Sequence, residues 1–252
     1  MKGMLNLGNT CYFSSALQCL LQIPPLSNYF IRNEYTGDCE FTKEYRKVVL
    51  LAWKNKDVSV IDPTRLLRLF WTRFSQFANR YPHDAQEAFI CIIDILEPFT
   101  KPLINFNMIQ ETVCPSGKTM TDVVSTILTL NPGKTLEDSL KSTLDWSTIE
   151  NYEDTSGKVW NVAATRTSFS TFPKVLVLSM NCKMDITVPE SIFDGEYNLI
   201  ASCIHFGTVN GGHYVSLTKH KGVWYLKDDN VVTKQNSFIP HGGHYLLVYH
   251  KQ

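Results

Sequence analysis

The chain has 252 residues, of which 44% are hydrophobic and 19% are charged, and its 24 acidic and 24 basic side chains cancel. This composition is typical of a globular protein with a sizeable core and argues against intrinsic disorder. The zero net charge gives no broad electrostatic reason to expect nucleic acid or an anionic membrane as a partner.

The first hundred residues show helical periodicity. In the earliest segment Phe13, Leu17, Leu20 and Leu21 repeat at helical spacing, and Pro24-Pro25 follows as an expected stop. The same reasoning predicts four amphipathic helices, over residues 10–22, 41–54, 63–79 and from near 82 to 98.

The period then changes to short runs rich in β-branched and aromatic residues, which predict strands. A brief helix is expected over residues 135–144, and the polar segment 145–170 gives no clear pattern. The predicted strands are 123–130, 175–180, 199–204, 215–218, 223–226 and 245–249. Helices first and an antiparallel sheet second indicate an α+β protein, which we expect to be a single domain.

Cysteine usage and hydropathy indicate the compartment. The seven cysteines are odd in number and scattered without a CxxC pair, as in proteins that keep free thiols. The first residues resemble no secretory signal, and the most apolar stretch, residues 88–96, is too short to span a bilayer. We therefore expect a cytoplasmic or nuclear protein that does not bind a membrane.

Cys11 is the first candidate for chemistry. It follows the loop Asn6-Leu7-Gly8-Asn9-Thr10 at the predicted start of a helix. Unpaired backbone N–H groups and the helix dipole favour thiolate there, and a neighbouring imidazolium can help to bring a thiol pKa down to roughly 3.5–7.5. A lone cysteine is more often an inert buried thiol, so this residue needs partners before it indicates a function.

His213 and the acidic pair Asp228 and Asp229 can supply those partners. Two strands joined at residues 220–222 form a predicted hairpin, with His213 just before the first strand and Asp228 just after the second. The histidine would take the thiol proton, and either acid could orient its ring. For the oxyanion, the Asn6 amide and the Cys11 backbone N–H are candidate donors, although Asn6 could simply close a turn.

Five segments resemble the ubiquitin-specific protease family of deubiquitinases, in the order in which that family has them. They are residues 6–18 (the cysteine box), 83–89 (the acidic Q-D-A-Q-E-F-like motif), 172–178 (the strand entered through Leu-Pro), 197–231 (the histidine box) and 245–249 (the last strand).

The resemblance implies a role for each site residue. Cys11 would be the nucleophile, His213 the general base and acid, and Asp228 the third member, because the family uses the first acid of this pair. Asp229 would be an accessory polar group, and Asn6 would form the oxyanion hole. The implied fold is the papain-like right hand, with a helical thumb (about 1–100), reduced fingers (101–172) and a β-rich palm (173–252).

The resemblance also implies contacts to the extended C-terminal tail of ubiquitin. Asp84 and Glu87 match acids that meet arginines of that tail, although Asp-x-x-Glu at a helix start also has the form of a structural cap. Gly211 and Gly212 match a mobile loop, residues 206–212, over a channel narrow enough to admit only glycine, and Tyr214 would line its wall. A plain turn between strands is the alternative for this loop.

Some positions differ from the family pattern. Ser14 stands where the family usually has Asn, and Lys227 where it usually has Phe. Many members hold a structural zinc with two CxxC pairs in the fingers, but this chain keeps only Cys114-Pro115-Ser116-Gly117 there. Because such a site needs four ligands, and because the six later histidines are irregularly spaced, we expect no metal and no other cofactor.

The predicted function is hydrolysis of the isopeptide or peptide bond after the C-terminal glycine of ubiquitin, through a thioester. The expected partners are ubiquitin and ubiquitinated proteins, and the expected state is a monomer. Two alternatives stay open: an inactive ubiquitin-binding module, and a protease for a ubiquitin-like modifier.

Overall fold

The computed structural model describes residues 1–180, 186–208, 211–240 and 243–252. Within these ranges most helices precede most strands, as expected for the α+β class. The helices are α1 (Cys11–Leu21), α2 (Pro24–Arg32), α3 (Glu40–Trp53), α4 (Thr64–Arg73), α5 (Ala85–Ile95), α6 (Glu97–Ile104) and α7 (Leu136–Leu144). Among the described residues no helix is long and apolar enough to cross a membrane.

Within the described residues the strands form three sheets, of two, eight and four strands. The strands of the first half are β1 (Gly3–Met4), β2 (Val60–Ile61), β3 (Phe106–Cys114), β4 (Gly117–Ser125) and β5 (Leu128–Leu130). Those of the second half are β6 (Ser147–Glu153), β7 (Val159–Phe169), β8 (Val175–Met180), β9 (Ser191–Ile192), β10 (Tyr197–Thr208), β11 (Gly211–His220), β12 (Val223–Asp228), β13 (Val231–Gln235) and β14 (His244–Lys251).

Helix α1 is the centre of the helical half. All eleven of its residues are buried, because it packs against α5 on one side and against β10 and β11 on the other. A helix that is enclosed all round must be apolar on most faces, and its sequence CYFSSALQCLL meets that condition. The packing fixes the first residue of α1 against the large sheet.

The large sheet has the order β13-β12-β11-β10-β14-β8-β5, with β9 paired to β10. The hairpin predicted around residues 220–222 is confirmed as the β11–β12 pair, in which His220 pairs with Val223 and Ser216 with Lys227. Lys221 and Gly222 both have positive φ, as a two-residue type I′ turn requires. Continuing the register places His213 and Asp228 on one face of the sheet as diagonal neighbours.

The four-stranded sheet has the order β4-β3-β7-β6 and is antiparallel throughout. Most of its side chains are exposed or half-buried, while Phe106 and Met108 at the base of β3 join the core beneath the large sheet. It therefore projects from the body as an exposed antiparallel layer.

Several predicted boundaries were wrong. Pro24-Pro25 ends α1 but also begins α2, because proline is well suited to the first turn of a helix. The predicted helix 63–79 ends at Arg73 and is followed by a 3-10 turn, and the helix predicted to reach 98 is two helices, α5 and α6. The predicted strand 123–130 is interrupted between β4 and β5, and the unassigned segment 145–170 contains β6 and β7.

Candidate active site

Cys11 is the first residue of α1, as predicted, and hydrogen bonds of Asn6 and Asn9 fix the loop that precedes it. Asn6 Oδ1 accepts hydrogen bonds from the backbone N–H of Gly8 (2.9 Å) and of Thr10 (3.2 Å). Asn9 Nδ2 donates to the Arg80 carbonyl oxygen at 2.7 Å. Gly8 has φ of 97° and Asn9 of 52°, a left-handed region that suits these two residue types. The loop therefore delivers Cys11 in a defined position.

The environment of the thiol has opposing effects on its ionisation. Burial raises the pKa of Cys11, backbone hydrogen bonding by Tyr214 lowers it, and the Asp229 carboxylate raises it further. The backbone of Tyr12 and of Cys11 itself also lowers this pKa. The helix start thus acts in the predicted direction, but burial outweighs it, so the isolated thiol is the favoured form and a base is needed.

His213 lies beside both acids of the pair. Its Nε2 is 2.6 Å from Asp228 Oδ1 and 3.9 Å from Asp229 Oδ2. The Asp228 side chain is 54% exposed and the Asp229 side chain only 16% exposed. The imidazole is therefore bonded to the exposed acid, which leaves Nδ1 as the ring nitrogen for another partner.

The start of α1 meets the strand that carries His213 at Tyr214. The Tyr214 backbone lies close enough to the Cys11 thiol to lower its pKa, and Tyr214 directly follows His213 on β11. Cys11 on α1 therefore lies near the segment of β11 that carries the His213–Asp228 hydrogen bond.

Asn6 closes a turn and also reaches the acidic pair. Its Nδ2 donates to Asp229 Oδ2 at 2.9 Å, so one amide hydrogen is engaged and the second is available. Asp229 is held in turn by strand β1, since the Met4 N–H donates to its carbonyl oxygen at 2.7 Å. Gly3 leaves room for this contact, because a Cβ there would lie 2.6 Å from the same oxygen.

The predicted tail-binding residues gather where α5 meets the large sheet. Asp84 caps α5 by accepting from the N–H groups of Gln86 (2.7 Å) and Glu87 (3.0 Å), and the Tyr245 hydroxyl donates to its other oxygen. Tyr214 packs beside Tyr245, with ring centroids 5.8 Å apart. Glu87 is exposed on the first turn of α5. Asp84 is therefore a structural cap, and Glu87 is the acid that faces solvent.

The predicted loop 206–212 is largely strand. Thr208 pairs with Gly211 and Gly207 with Gly212 at the end of the β10–β11 hairpin, and residues 209 and 210 lie outside the described residues. Gly212 packs against the His205 ring so closely that a Cβ would collide with it, while Gly211 has open space. The described part of the predicted loop is therefore paired strand, and its role over a substrate channel stays a prediction.

In the described part of the chain, one group of side chains has the spacing of metal ligands. It is His213, Asp228 and Asp229, whose ligand atoms lie within 4.8 Å of one another. The short His213–Asp228 hydrogen bond already accounts for this closeness. At the tip of the four-stranded sheet Cys114 Sγ is 2.9 Å from Ser116 Oγ, which is bonded to Asp154.

Sequence reasoning missed two contacts that support the site. In one, the Tyr245 hydroxyl donates a hydrogen bond to Asp84; in the other, Nζ of the buried Lys227 donates to Gln18 Oε1 at 2.5 Å. The sequence did point to the second contact, because Lys227 stands next to Asp228 at a position where an apolar residue is expected. Ser14, the other unusual residue, is buried, and its hydroxyl has no hydrogen-bond partner among the described residues.

The sequence matches a known family over nearly its whole length. The profile described as Ubiquitin carboxyl-terminal hydrolase matches residues 2–249. A relative in Schizosaccharomyces pombe, Probable ubiquitin carboxyl-terminal hydrolase 8, is 23% identical over 295 residues, covering 100% of this chain and 65% of that protein. Ubiquitin carboxyl-terminal hydrolase Usp2 of Drosophila melanogaster is 23% identical over 327 residues, covering 99% of this chain and 34% of that protein.

A solved structure shares the fold. The SAGA Ubp8/Sgf11/Sus1/Sgf73 DUB module bound to monoubiquitin contains a chain that matches with a TM-score of 0.88 at 20% identity. The match covers 100% of this chain and 69% of that one. The predicted papain-like α+β fold is thereby confirmed, while this chain spans at most 65% of the two relatives named above.

Proposed function

The chain belongs to the ubiquitin carboxyl-terminal hydrolase family, and on that premise we propose that it is a thiol-dependent deubiquitinase. It hydrolyses the isopeptide or peptide bond after the C-terminal glycine of ubiquitin. The observation that carries the proposal is the hydrogen bond of 2.6 Å between His213 and Asp228. The residue that follows His213 on β11 is Tyr214, whose backbone contacts the Cys11 thiol.

The first half of the reaction forms a thioester. His213 Nδ1 takes the proton from Cys11 Sγ, and the thiolate attacks the carbonyl carbon of the ubiquitin glycine. The C–N bond then breaks, and the imidazolium returns its proton to the leaving amine. Asp228 keeps Nε2 protonated and stabilises the imidazolium, so it acts through the ring rather than on the substrate.

The second half releases ubiquitin. His213 removes a proton from a water molecule, which attacks the thioester carbonyl, and the C–S bond breaks to regenerate the Cys11 thiol. In both halves an oxyanion forms at the glycine carbonyl. The free hydrogen of Asn6 Nδ2 and the Cys11 backbone N–H are its proposed donors, and Asp229 holds the Asn6 amide in place.

The tail of ubiquitin would lie between α5 and the β11 end of the large sheet. Glu87 supplies an exposed carboxylate for an arginine of the tail, while Asp84 fixes the start of the helix that presents it. Tyr214 lines the groove, Gly211 leaves open space for the terminal glycines, and Gly212 packs against the His205 ring beside it. The projecting four-stranded sheet would contact the body of ubiquitin as reduced fingers.

The proposal extends to the setting of the enzyme. We expect a single catalytic domain that acts as a monomer on ubiquitin and ubiquitinated proteins. Because a thiol nucleophile must stay reduced, the cytoplasm or nucleus is the expected place of action. No step of the mechanism uses a cofactor.

Steady-state hydrolysis of ubiquitin carrying a C-terminal fluorogenic amide tests the proposal. Cys11→Ala and His213→Ala should abolish turnover, and Asn6→Ala should lower kcat by roughly 100- to 1,000-fold, the range for one oxyanion donor. Glu87→Lys should raise KM, while the matched control Asp94→Lys, on the exposed face of the same helix, should not. Turnover that survives Cys11→Ala would reject the mechanism.

The same assay separates the alternatives. Ubiquitin binding without turnover in the unmodified protein would indicate an inactive binding module. Turnover of a ubiquitin-like conjugate in preference to the ubiquitin conjugate would indicate a different modifier.

A further inference from the structure

A cavity of about 420 Å³ lies beside the loop that delivers Cys11. We name it the loop cavity, and its walls come from that loop, from α4 and from the segment just before α5. The residues that matter for its chemistry are Leu7, Gly8, Leu67, Arg68, Trp71 and Arg80. Its volume is within the range of clefts that bind small ligands or a few side chains.

The cavity combines an apolar wall with positive charge at its rim. Leu67 is buried and Trp71 half-buried, and the exposed Leu7 side chain extends the apolar surface toward the solvent. Arg68 and Arg80 are exposed, and neither forms an ion pair within the described ranges. Two unpaired guanidinium groups around an apolar floor favour a ligand that carries carboxylates.

One acid lies near this charge without neutralising it. The Arg68 charge contributes to lowering the pKa of Asp62, but the Asp62 carboxylate accepts its hydrogen bonds from the Thr64 N–H (2.9 Å) and hydroxyl (2.5 Å). Both Arg68 and Arg80 therefore keep their donors for a ligand from outside the chain.

The position of the loop cavity relates it to the leaving group rather than to ubiquitin. The proposed tail groove uses the start of α5 and the start of β11, and none of its residues lines the cavity. Leu7 and Gly8 do line it, and they stand between Asn6, which contacts the acidic pair, and Asn9, which contacts Arg80. Since the tail groove lies on the α5 side of the thiol, we expect the leaving-group side of the substrate to run past this loop.

We propose that the loop cavity binds an acidic segment of the substrate protein, next to the lysine that carries ubiquitin. The inference rests on the proposed function and adds a substrate preference to it. Arg68 and Arg80 would pair with aspartate or glutamate side chains, and Trp71 and Leu7 would pack against the apolar parts of the segment.

Two ubiquitin–peptide conjugates with an isopeptide bond test this preference. One peptide carries Asp and Glu around the modified lysine, and the other carries Asn and Gln at the same positions. The readout is the ratio of kcat/KM for the two, so any uniform change in activity cancels. We expect a ratio of about five at low salt for the unmodified enzyme, falling as salt rises because exposed charges are screened.

Substitution of the two arginines should remove the preference. The ratio should fall toward one in the double variant Arg68→Gln/Arg80→Gln. The control Arg73→Gln changes the same charge on α4 outside the cavity and should keep the ratio. A ratio near one in the unmodified enzyme, or an unchanged ratio in the double variant, overturns this inference alone. Failure to hydrolyse either conjugate overturns the proposed function and this inference with it.

Discussion

The two neighbouring acids of the candidate site have different surroundings. Asp228 is exposed and bonded to the His213 ring, whereas Asp229 is mostly buried and bonded to the Asn6 amide. One oxygen of Asp229, Oδ1, is buried with no hydrogen-bond partner among the described residues. Because little water surrounds the Asp229 carboxylate, its negative charge is weakly screened and raises the pKa of the Cys11 thiol.

Asp229→Asn should make the Cys11 thiol ionise at lower pH. The substitution removes a carboxylate that raises the pKa of Cys11, while the amide can still bond to Asn6. The measurement is the pH dependence of Cys11 alkylation by iodoacetamide, followed by mass spectrometry of the peptide that contains it. Asp94→Asn, a distant exposed acid, is the control, and a midpoint that stays or rises would contradict the assignment.

Lys227 is a buried lysine that directly precedes Asp228 in the chain. Its side chain is 3% exposed, and its Nζ donates to the neutral Gln18 amide. Burial lowers the pKa of Lys227 to about 7. Since the usual value is about 10.4, the unfolded chain holds a proton between pH 7 and 10 that the folded chain has lost, so this group makes the protein more stable as pH rises.

Lys227→Met should therefore stabilise the protein at pH 7 and flatten its stability profile above it. Replacing buried charged groups with apolar residues of similar volume adds about 1–4 kcal/mol in favourable cases. Urea unfolding at pH 7, 8 and 9 measures both effects, with Lys234→Met on exposed β13 as the control. Equal slopes against pH in the variant and the unmodified protein would show that Lys227 stays protonated when folded.

At the scale of elements, one carboxylate ties the tip of the four-stranded sheet together. Asp154, in the β6–β7 turn, accepts hydrogen bonds from Ser116 Oγ (2.7 Å), Trp160 Nε1 (2.8 Å) and the Ser156 N–H (2.9 Å) and hydroxyl (2.5 Å). Ser116 belongs to the β3–β4 turn, so this cluster joins the two hairpins of the sheet. It occupies the region where many family members hold a zinc ion.

Asp154→Asn should loosen this sheet without affecting the core. The Ser156 hydroxyl, the Trp160 indole and the Ser116 hydroxyl hold the pKa of Asp154 well below its usual range. Its contribution to stability is therefore complete above the unfolded pKa of about 3.9 and is lost progressively as the pH falls below that value. Amide hydrogen exchange should quicken in β6 and β7 and stay unchanged in α1 and β8. Glu150→Gln on exposed β6 is the control. If amide exchange in β6 and β7 is the same in Asp154→Asn as in the unmodified protein, Asp154 does not hold the two hairpins together.

Elements with a strong local pattern could be predicted from the sequence. Helix α1, strand β8 and the β11–β12 hairpin have clear periodicity or turn residues, and their predicted positions were close. Strands β6 and β7 could not be predicted, because apolar and polar residues do not alternate regularly along their sequences STIENYE and VWNVAATRTSF. For the site, motif order indicated Cys11 and His213. The contacts Asn6–Asp229 and Gln18–Lys227 join residues 223 and 209 positions apart, which no local pattern encodes.

At the scale of the whole molecule, the candidate site lies where the helical half meets the large sheet. Contacts that cross this junction include those of the Cys11 thiol with the Tyr214 backbone, Gln18 with Lys227, and Asp84 with Tyr245. In the proposed mechanism the nucleophile comes from one half, and the base and its acid come from the other. The proposed catalytic geometry would therefore depend on the packing of α1 and α5 against the sheet.

The most direct test of the account is the intact mass of the protein after incubation with ubiquitin that carries a C-terminal electrophile. We expect a single covalent ubiquitin adduct, mapped to Cys11, absent in Cys11→Ala and slowed in His213→Ala. Ubiquitin-like probes run in parallel should react more slowly. The absence of an adduct in the unmodified protein, or an adduct that persists in Cys11→Ala, would contradict the assignment of Cys11 as the nucleophile of a deubiquitinase.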